Sequence, residues 1–172
     1  MFFSKRRLIL FGVIAALALT IILIPEIQFL VNAPDADALE FKLANIEINN
    51  ISNDTNNVEL LLSLEVYNPT DKTATTSKVE YDLFGNNEFL GHGVLSYEDI
   101  PLNGRPQLSP QQTTTLKSSL ILEPTDSNLN LIQELLKNQT SIVGDYINWE
   151  VIGKSQIESA FVIIEKEFES KL

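Results

Sequence analysis

A chain of 172 residues has room for one domain and an accessory segment. It contains no cysteine and only one histidine, which excludes disulfides, thiolate zinc sites, thiol catalysis, multi-histidine metal centres and the H-E-x-x-H motif. Twelve basic residues face 23 acidic ones, and residues 32–172 alone hold nine against 22, a net charge of −13 that repels phosphate backbones and argues against nucleic acid as a partner.

The chain opens on a basic head, Met1–Arg7, with Lys5, Arg6 and Arg7. Leu8–Ile24 follows without a charge, and the apolar character continues through Ile27, Phe29, Leu30 and Val31. As a helix, Leu8–Val31 would extend about 36 Å, more than a hydrocarbon core of about 30 Å. It exceeds a cleaved signal peptide's usual apolar region of about 7–15 residues. The one A-x-A-like site nearby, Ala36-Asp37-Ala38, lies far downstream and contains an acid. The expectation is an uncleaved transmembrane anchor, with the bilayer as its partner. The positive head places the N-terminus in the cytoplasm and the acidic remainder outside the cell or in the periplasm. Three N-x-S/T triplets, starting at Asn50, Asn53 and Asn138, suit that compartment.

Asn32–Ala38 is polar, contains Pro34 and reads as a tether; a β-rich domain is expected over residues 39–170. Leu39, Phe41 and Leu43 alternate, then Ile46 and Ile48 continue in the opposite phase, which predicts a bulge near Ala44–Asn45. After the polar Asn49–Asn57, the segment Val58–Tyr67 places Val58, Leu60, Leu62, Leu64 and Val66 on one face of a long strand. Asn68-Pro69 ends it, because proline lacks an N–H and asparagine bonds local backbone.

Thr75–Phe84 alternates Val79, Tyr81 and Leu83 with Lys78, Glu80 and Asp82, and Gly85-Asn86-Asn87 predicts a tight hairpin into Phe89–Leu95. Gly91 and Gly93 in that strand suggest a bulge or a close backbone approach. Ile100–Gln111, with three prolines, reads as a connection, and Thr113–Leu122 as a strand stopped by Pro124. A helix is expected from a Thr125/Asp126/Ser127 cap to about Asn138, with Leu129, Ile132, Leu135 and Leu136 as its apolar stripe. Two strands then close the domain, Tyr146–Ile152 and Ile157–Phe168. About seven short strands and one late helix predict an all-β antiparallel sandwich of immunoglobulin or fibronectin-III shape.

No stretch carries recognisable catalytic chemistry. His92 lies between glycines in a strand, with no G-x-S-x-G to align a serine, and reads as a solvent-facing residue. Glu165, Glu167 and Glu169 share one face of the last strand but are spread along it at about 6.6 Å steps, which suits a charged edge against strand pairing better than a calcium site. Asp35 and Asp37 lack the rest of a calcium loop. Leu61, Tyr67, Phe84 and Leu90 can all fall on outward faces; clustered, they would form a patch for an envelope protein or an apolar ligand. The expectation is no metal, no cofactor and no enzyme activity.

The strand LSLEVYNPT, the following VEYDLFGNNEFLGHG, the proline-rich connection and the closing WEVIGKSQI and FVIIEKEF segments together resemble the water-stress and hypersensitive-response domain of the type 2 late-embryogenesis-abundant proteins. That family's signature is a hydrophobic strand ending in Asn-Pro-Asn, then a strand with a tyrosine and a hairpin into Gly-x-Gly. Asn68, Pro69, Tyr81, Gly91 and Gly93 match it, while Thr70 replaces the final asparagine. The resemblance covers about Leu39–Phe168. It implies a fibronectin-III-like fold and a part in tolerance of drying, salt and cold, with no catalytic residues to carry over. Asn68-Pro69 enters as a marker of fold.

Overall fold

The computed structural model describes residues 5–32, 35–52, 56–138, 147–159 and 162–172. The chain divides into two compact units, Met1–Ala33 and Pro34–Leu172. The first holds helix α1 (Lys5–Asn32), whose described side chains, residues 9–24, are all exposed. Thr20 donates its hydroxyl to Ala16 O at 2.8 Å, so this polar group is satisfied within the helix. Among the described residues no helix is long and apolar enough to cross a membrane. The structure therefore gives no span where the sequence placed Leu8–Val31, and the ends of that segment fall outside the described side chains.

The second unit is built from β1 (Glu40–Ser52), β2 (Asn57–Asn68), β3 (Ala74–Gly85), β4 (Glu88–Ser96), β5 (Gln107–Leu108), β6 (Gln112–Leu122), α2 (Leu129–Asn138), β7 (Trp149–Ser159) and β8 (Val162–Lys171). One sheet runs β1-β2-β6; the other runs β4-β3-β7-β8, with β5 paired to β3. All of these pairings are antiparallel. The inner faces share one core, so the unit is the expected β-sandwich.

Alternation decides which face is buried. Val58, Leu60, Leu62, Leu64 and Val66 are fully buried along β2, flanked on one side by β1 and on the other by β6. At about 2 kcal/mol for each aliphatic removed from water, this central strand is a large part of the driving force for folding. Its phase partner β1 slips register between Leu43 and Asn45, where the sequence changes phase, and the slip keeps both Leu43 and Ile46 in the core. Asn86 and Asn87 form the β3–β4 turn with φ of 53° and 69°, the positive values a two-residue hairpin turn demands. Gly85 is not left-handed; it gives room, since a Cβ there would stand 2.9 Å from Leu90 Cδ1 and 3.0 Å from Leu131 Cδ1.

Several sequence expectations need correction. The closing strands break later than expected: β7 runs from Trp149 through Ile157 to Ser159, and Gly153-Lys154-Ser155 is strand interior rather than a break. Gly153 is there because a Cβ would meet Phe168 Cζ at 2.8 Å and Tyr81 Cβ at 2.9 Å, so the glycine admits two aromatic side chains. Tyr146 lies outside the described residues. The Ile100–Gln111 connection contains a 3₁₀ turn at Leu102–Gly104 and the short β5, whose Leu108 is fully buried.

The helix α2 begins with a reciprocal cap in which Thr125 N donates to Asn128 Oδ1 at 2.7 Å and Asn128 N to Thr125 Oγ1 at 3.4 Å. Setting the helix by Asn128 puts Leu131, Ile132 and Leu135 inward and leaves Leu129 exposed, so Leu131 takes the place expected of Leu129.

Candidate functional site

The five residues of the family-like motif occupy two clusters in the sandwich. Asn68, fully buried at the end of β2, donates from Nδ2 to Lys72 O at 2.7 Å and to Leu108 O at 2.8 Å. Its Oδ1 accepts from Thr70 N at 3.0 Å and Thr70 Oγ1 at 2.7 Å. One amide thus fastens the turn after Pro69 to β5. Thr70, which departs from the motif, keeps a hydroxyl where it can bond both Asn68 and Lys72 O.

Tyr81, Gly91 and Gly93 form the second cluster. Gly93 lies opposite Tyr81 in the β3–β4 ladder, and the Tyr81 ring lies across it. A Cβ on Gly93 would stand 2.7 Å from Tyr81 Cε1 and closer still to Cζ and Oη. With the ring flat on the glycine, the Tyr81 hydroxyl crosses the core and donates to Ser118 Oγ on β6 at 2.7 Å, a buried link between the two sheets. Burial raises the Tyr81 pKa, so the phenol stays protonated and able to donate. Gly91 faces Leu120, with the nearest side-chain atoms at 3.5 Å, an ordinary contact. The bulge expected beside these glycines is present: Leu83 pairs Gly91 and Phe84 pairs Phe89, which leaves Leu90 unpaired and pointed into the core.

The outer face of the larger sheet carries a lattice of charges. Its rows read His92–Asp82–Ile152–Glu169 and Val94–Glu80–Lys154–Glu167 across β4, β3, β7 and β8. They border an open depression of about 570 Å³. Lys78 Nζ lies 2.5 Å from Glu80, Lys154 Nζ lies 3.4 Å from Glu80, and Lys171 Nζ lies 2.9 Å from Glu150. The Lys78 ammonium, hydrogen-bonded to Glu80, holds that carboxyl below the usual carboxylate range and is itself raised by the same bond. Lys171 does the same for Glu150. These pairs are solvated, and each is worth little on its own.

His92 Nδ1 lies 2.8 Å from Asp82 Oδ1 with both side chains about half exposed, and no serine hydroxyl bonds His92 among the described residues. Nor does any described group of three or more His, Asp or Glu residues suit a metal ion. Glu165, Glu167 and Glu169 project outward along β8, a terminal strand of its sheet, where Lys154 and Lys171 approach two of them. Asp35 and Asp37 are exposed at the start of the sandwich unit.

The four apolar residues that could have formed one patch do not. Leu61 and Tyr67 sit on the outer face of the smaller sheet with Ser63 and Glu65 between them, Phe84 lies on the outer face of the larger sheet against Phe89, and Leu90 is in the core. Of the glycosylation-type asparagines, Asn50 is exposed near the end of β1, whereas Asn53 and the Asn138 side chain fall outside the described residues.

Sequence reasoning missed a clamp at Arg105. Its Nε donates to Ile100 O at 2.7 Å, its Nη2 to Glu98 O at 2.8 Å, and its Nη1 pairs with the Glu158 carboxylate. A lone arginine in a proline-rich connection gives no periodicity to read.

No family model matches the chain, and no curated protein matches it. Among solved structures, the chain is similar to a protein from Archaeoglobus fulgidus at 18% identity, covering 78% of this chain and 91% of that one with a TM-score of 0.41. A protein from Arabidopsis thaliana is similar at 14% identity over 77% and 80% of the two chains, with a TM-score of 0.49. A candidate late embryogenesis abundant (LEA) protein is similar at 15% identity over 98% and 90%, with a TM-score of 0.41. At these identities and scores the likenesses carry no argument about activity.

Proposed function

We propose that the protein is a non-enzymatic, membrane-anchored, exterior β-sandwich that protects membrane or envelope components when water is lost. The observation that carries this reading is the distribution of the acid excess. Carboxylates project from the outer faces of both sheets, with Glu47, Glu59 and Glu65 on one and Glu80, Asp82, Glu150 and Glu167 on the other, over a core shared between them. A folded surface of this kind holds water and counter-ions and keeps its neighbours apart at high concentration. The sequence resemblance to the water-stress domain and the apolar Leu8–Val31 segment support the same reading. Leu8–Val31 acts as the anchor in the bilayer, with the basic head in the cytoplasm. The motif residues serve the fold: Asn68 fastens a turn, and Tyr81, seated on Gly93, links the two sheets.

The test uses the full chain in phosphatidylcholine vesicles loaded with a self-quenching dye, dried beside a labile enzyme and rehydrated. Vesicles carrying this protein should retain more dye and recover more enzyme activity than vesicles carrying an equally acidic, unrelated anchored protein at equal mass. Retention and recovery no better than that control would overturn the protective function. A binding role through one exposed apolar patch finds no support in the scattered positions of Leu61, Tyr67, Phe84 and Leu90.

A further inference from the structure

Of the Asn-x-Ser/Thr triplets in the chain, only Asn50-Ile51-Ser52 has both a described asparagine side chain and a middle residue other than proline. Asn68-Pro69-Thr70 is barred by its proline, and the Asn68 amide is buried in four hydrogen bonds. Asn53 and the Asn138 side chain fall outside the described residues. Asn50 is exposed two residues before the end of β1, and its amide makes no hydrogen bond among the described residues. Asn45, Asn68, Asn86 and Asn128, by contrast, each hold a neighbouring group of the fold with theirs.

A second register slip in β1, between Ile48 and Asn50, sets Asn50 opposite Glu59, and Glu59 lies opposite Ile121 on β6. Val58 and Leu60, on either side of Glu59, are buried, so this row belongs to the outer face of the smaller sheet. With Ser52 and Asn57, the row borders a shallow open depression of about 190 Å³. The lining is of two kinds. Ile121 is 59% exposed and offers only hydrocarbon, whereas Asn57 and Glu59 offer polar groups. Ser119 Oγ donates to Glu59 Oε1 at 2.5 Å and fixes that carboxylate beside the depression. A pyranose ring has the matching make-up, an apolar face of C–H groups and a rim of hydroxyls.

The structure assigns Asn50 as the attachment site of an N-linked oligosaccharide whose first sugar ring lies in this depression against Ile121. The inference rests on the proposed exterior placement of the sandwich, the side of the membrane on which such glycans are found. In the transfer, Asn50 Nδ2 attacks the anomeric carbon of a lipid-phosphate-linked oligosaccharide presented by a membrane transferase. The C1–O bond to the lipid phosphate breaks, a C1–Nδ2 bond forms, one amide proton is lost and the lipid phosphate leaves. The first ring is then bonded directly to Nδ2, so it must lie beside Asn50, where the depression offers a concave surface. The fold loses nothing by the transfer, because the Asn50 amide holds no other group.

The test uses the full chain isolated from the cells that make it. Peptide mapping with fragmentation should find an oligosaccharide mass on Asn50, lost in Asn50→Gln and Ser52→Ala and kept in Ser52→Thr. Trp149 emission should be the same in all of these variants. The chain has no native cysteine, so Ile121→Cys supplies a unique thiol beside the depression. Maleimide should modify it several-fold more slowly than the same thiol in an Ile121→Cys/Asn50→Gln chain. A membrane-impermeant amine reagent on intact cells reports the placement of the sandwich through the exposed Lys171. A bare Asn50 with Lys171 labelled from outside overturns the glycan and leaves the exterior reading standing. A bare Asn50 with Lys171 labelled only after lysis overturns both. A glycan confined to Asn53 or Asn138 overturns the assignment to Asn50. Equal maleimide rates with Asn50 occupied overturn the seating of the ring against Ile121.

Discussion

Gly91 and Gly93 are two residues apart in one strand, both belong to the family-like motif, and the structure assigns them opposite tolerance. In Gly93→Ala the new methyl meets the Tyr81 ring, 2.7 Å from Cε1 and nearer to other ring atoms, so the ring must leave the position from which its hydroxyl reaches Ser118. Overpacking a core typically costs about 1–3 kcal/mol. Losing a buried hydrogen bond with its partner left unsatisfied adds about 1–3 kcal/mol. The expected loss is about 3–5 kcal/mol, which in a domain of this size lowers Tm by about 10 °C or more.

In Gly91→Ala the methyl meets only Leu120 at 3.5 Å, and the backbone φ is not positive. Its native-state cost is small, and a stiffer unfolded chain returns about 0.4–1 kcal/mol, so stability should stay within about 1 kcal/mol of the parent. Urea and thermal unfolding of the full chain, followed through its single, buried Trp149, would measure both. A cycle closes the test: once Tyr81→Ala has removed the ring, adding Gly93→Ala should cost almost nothing. Equal Tm values for the two alanine variants, or an undiminished Gly93→Ala penalty without the ring, would refute the steric reasoning.

Asn68→Ala removes four hydrogen bonds at once and leaves Leu108 O short of a partner inside the domain, so a loss of about 3 kcal/mol is expected in the same unfolding assay. Asn68→Asp, similar in shape but without donors, should rescue little of it. The Glu80 carboxyl, held below its usual range by Lys78, should give stability that is present above the unfolded pKa and lost as pH falls through the folded one. Glu80→Gln should therefore flatten the acid limb of a stability-versus-pH curve taken below about pH 5, by an amount that shrinks in high salt. An acid limb unchanged in Glu80→Gln would remove that pair from the account.

The strands were legible because burial on one face writes a period of two into the chain. The bulge at Leu43–Asn45 was legible for the same reason, since a register slip must flip the phase. The hairpin at Asn86-Asn87 was readable from residues that accept positive φ. Where sequence and structure differ the cause is shared: a residue's own propensity points one way, while its place is set by a partner elsewhere in the fold. Gly153 reads as a strand break until Phe168 and Tyr81 are seen to need its space. Leu129 and Leu131 are equally apolar, and the cap through Asn128 decides which one faces inward. The motif residues were readable as a set, but the reason for Gly93, an aromatic ring from the neighbouring strand, required the fold.

The N–H of Leu43, at the bulge, donates to Ser170 Oγ, so two terminal strands, β1 and β8, meet through a side chain rather than a ladder. That corner engages one backbone donor an incoming strand would use, and the carboxylates along β8 add charge repulsion to any approach. Evaporation concentrates any protein solution toward the point where open strand edges begin to template one another. A sandwich with this corner offers one fewer free backbone donor from which a fibril can grow, so a single serine placed opposite a single register slip bears on its colloidal behaviour in a nearly dry film.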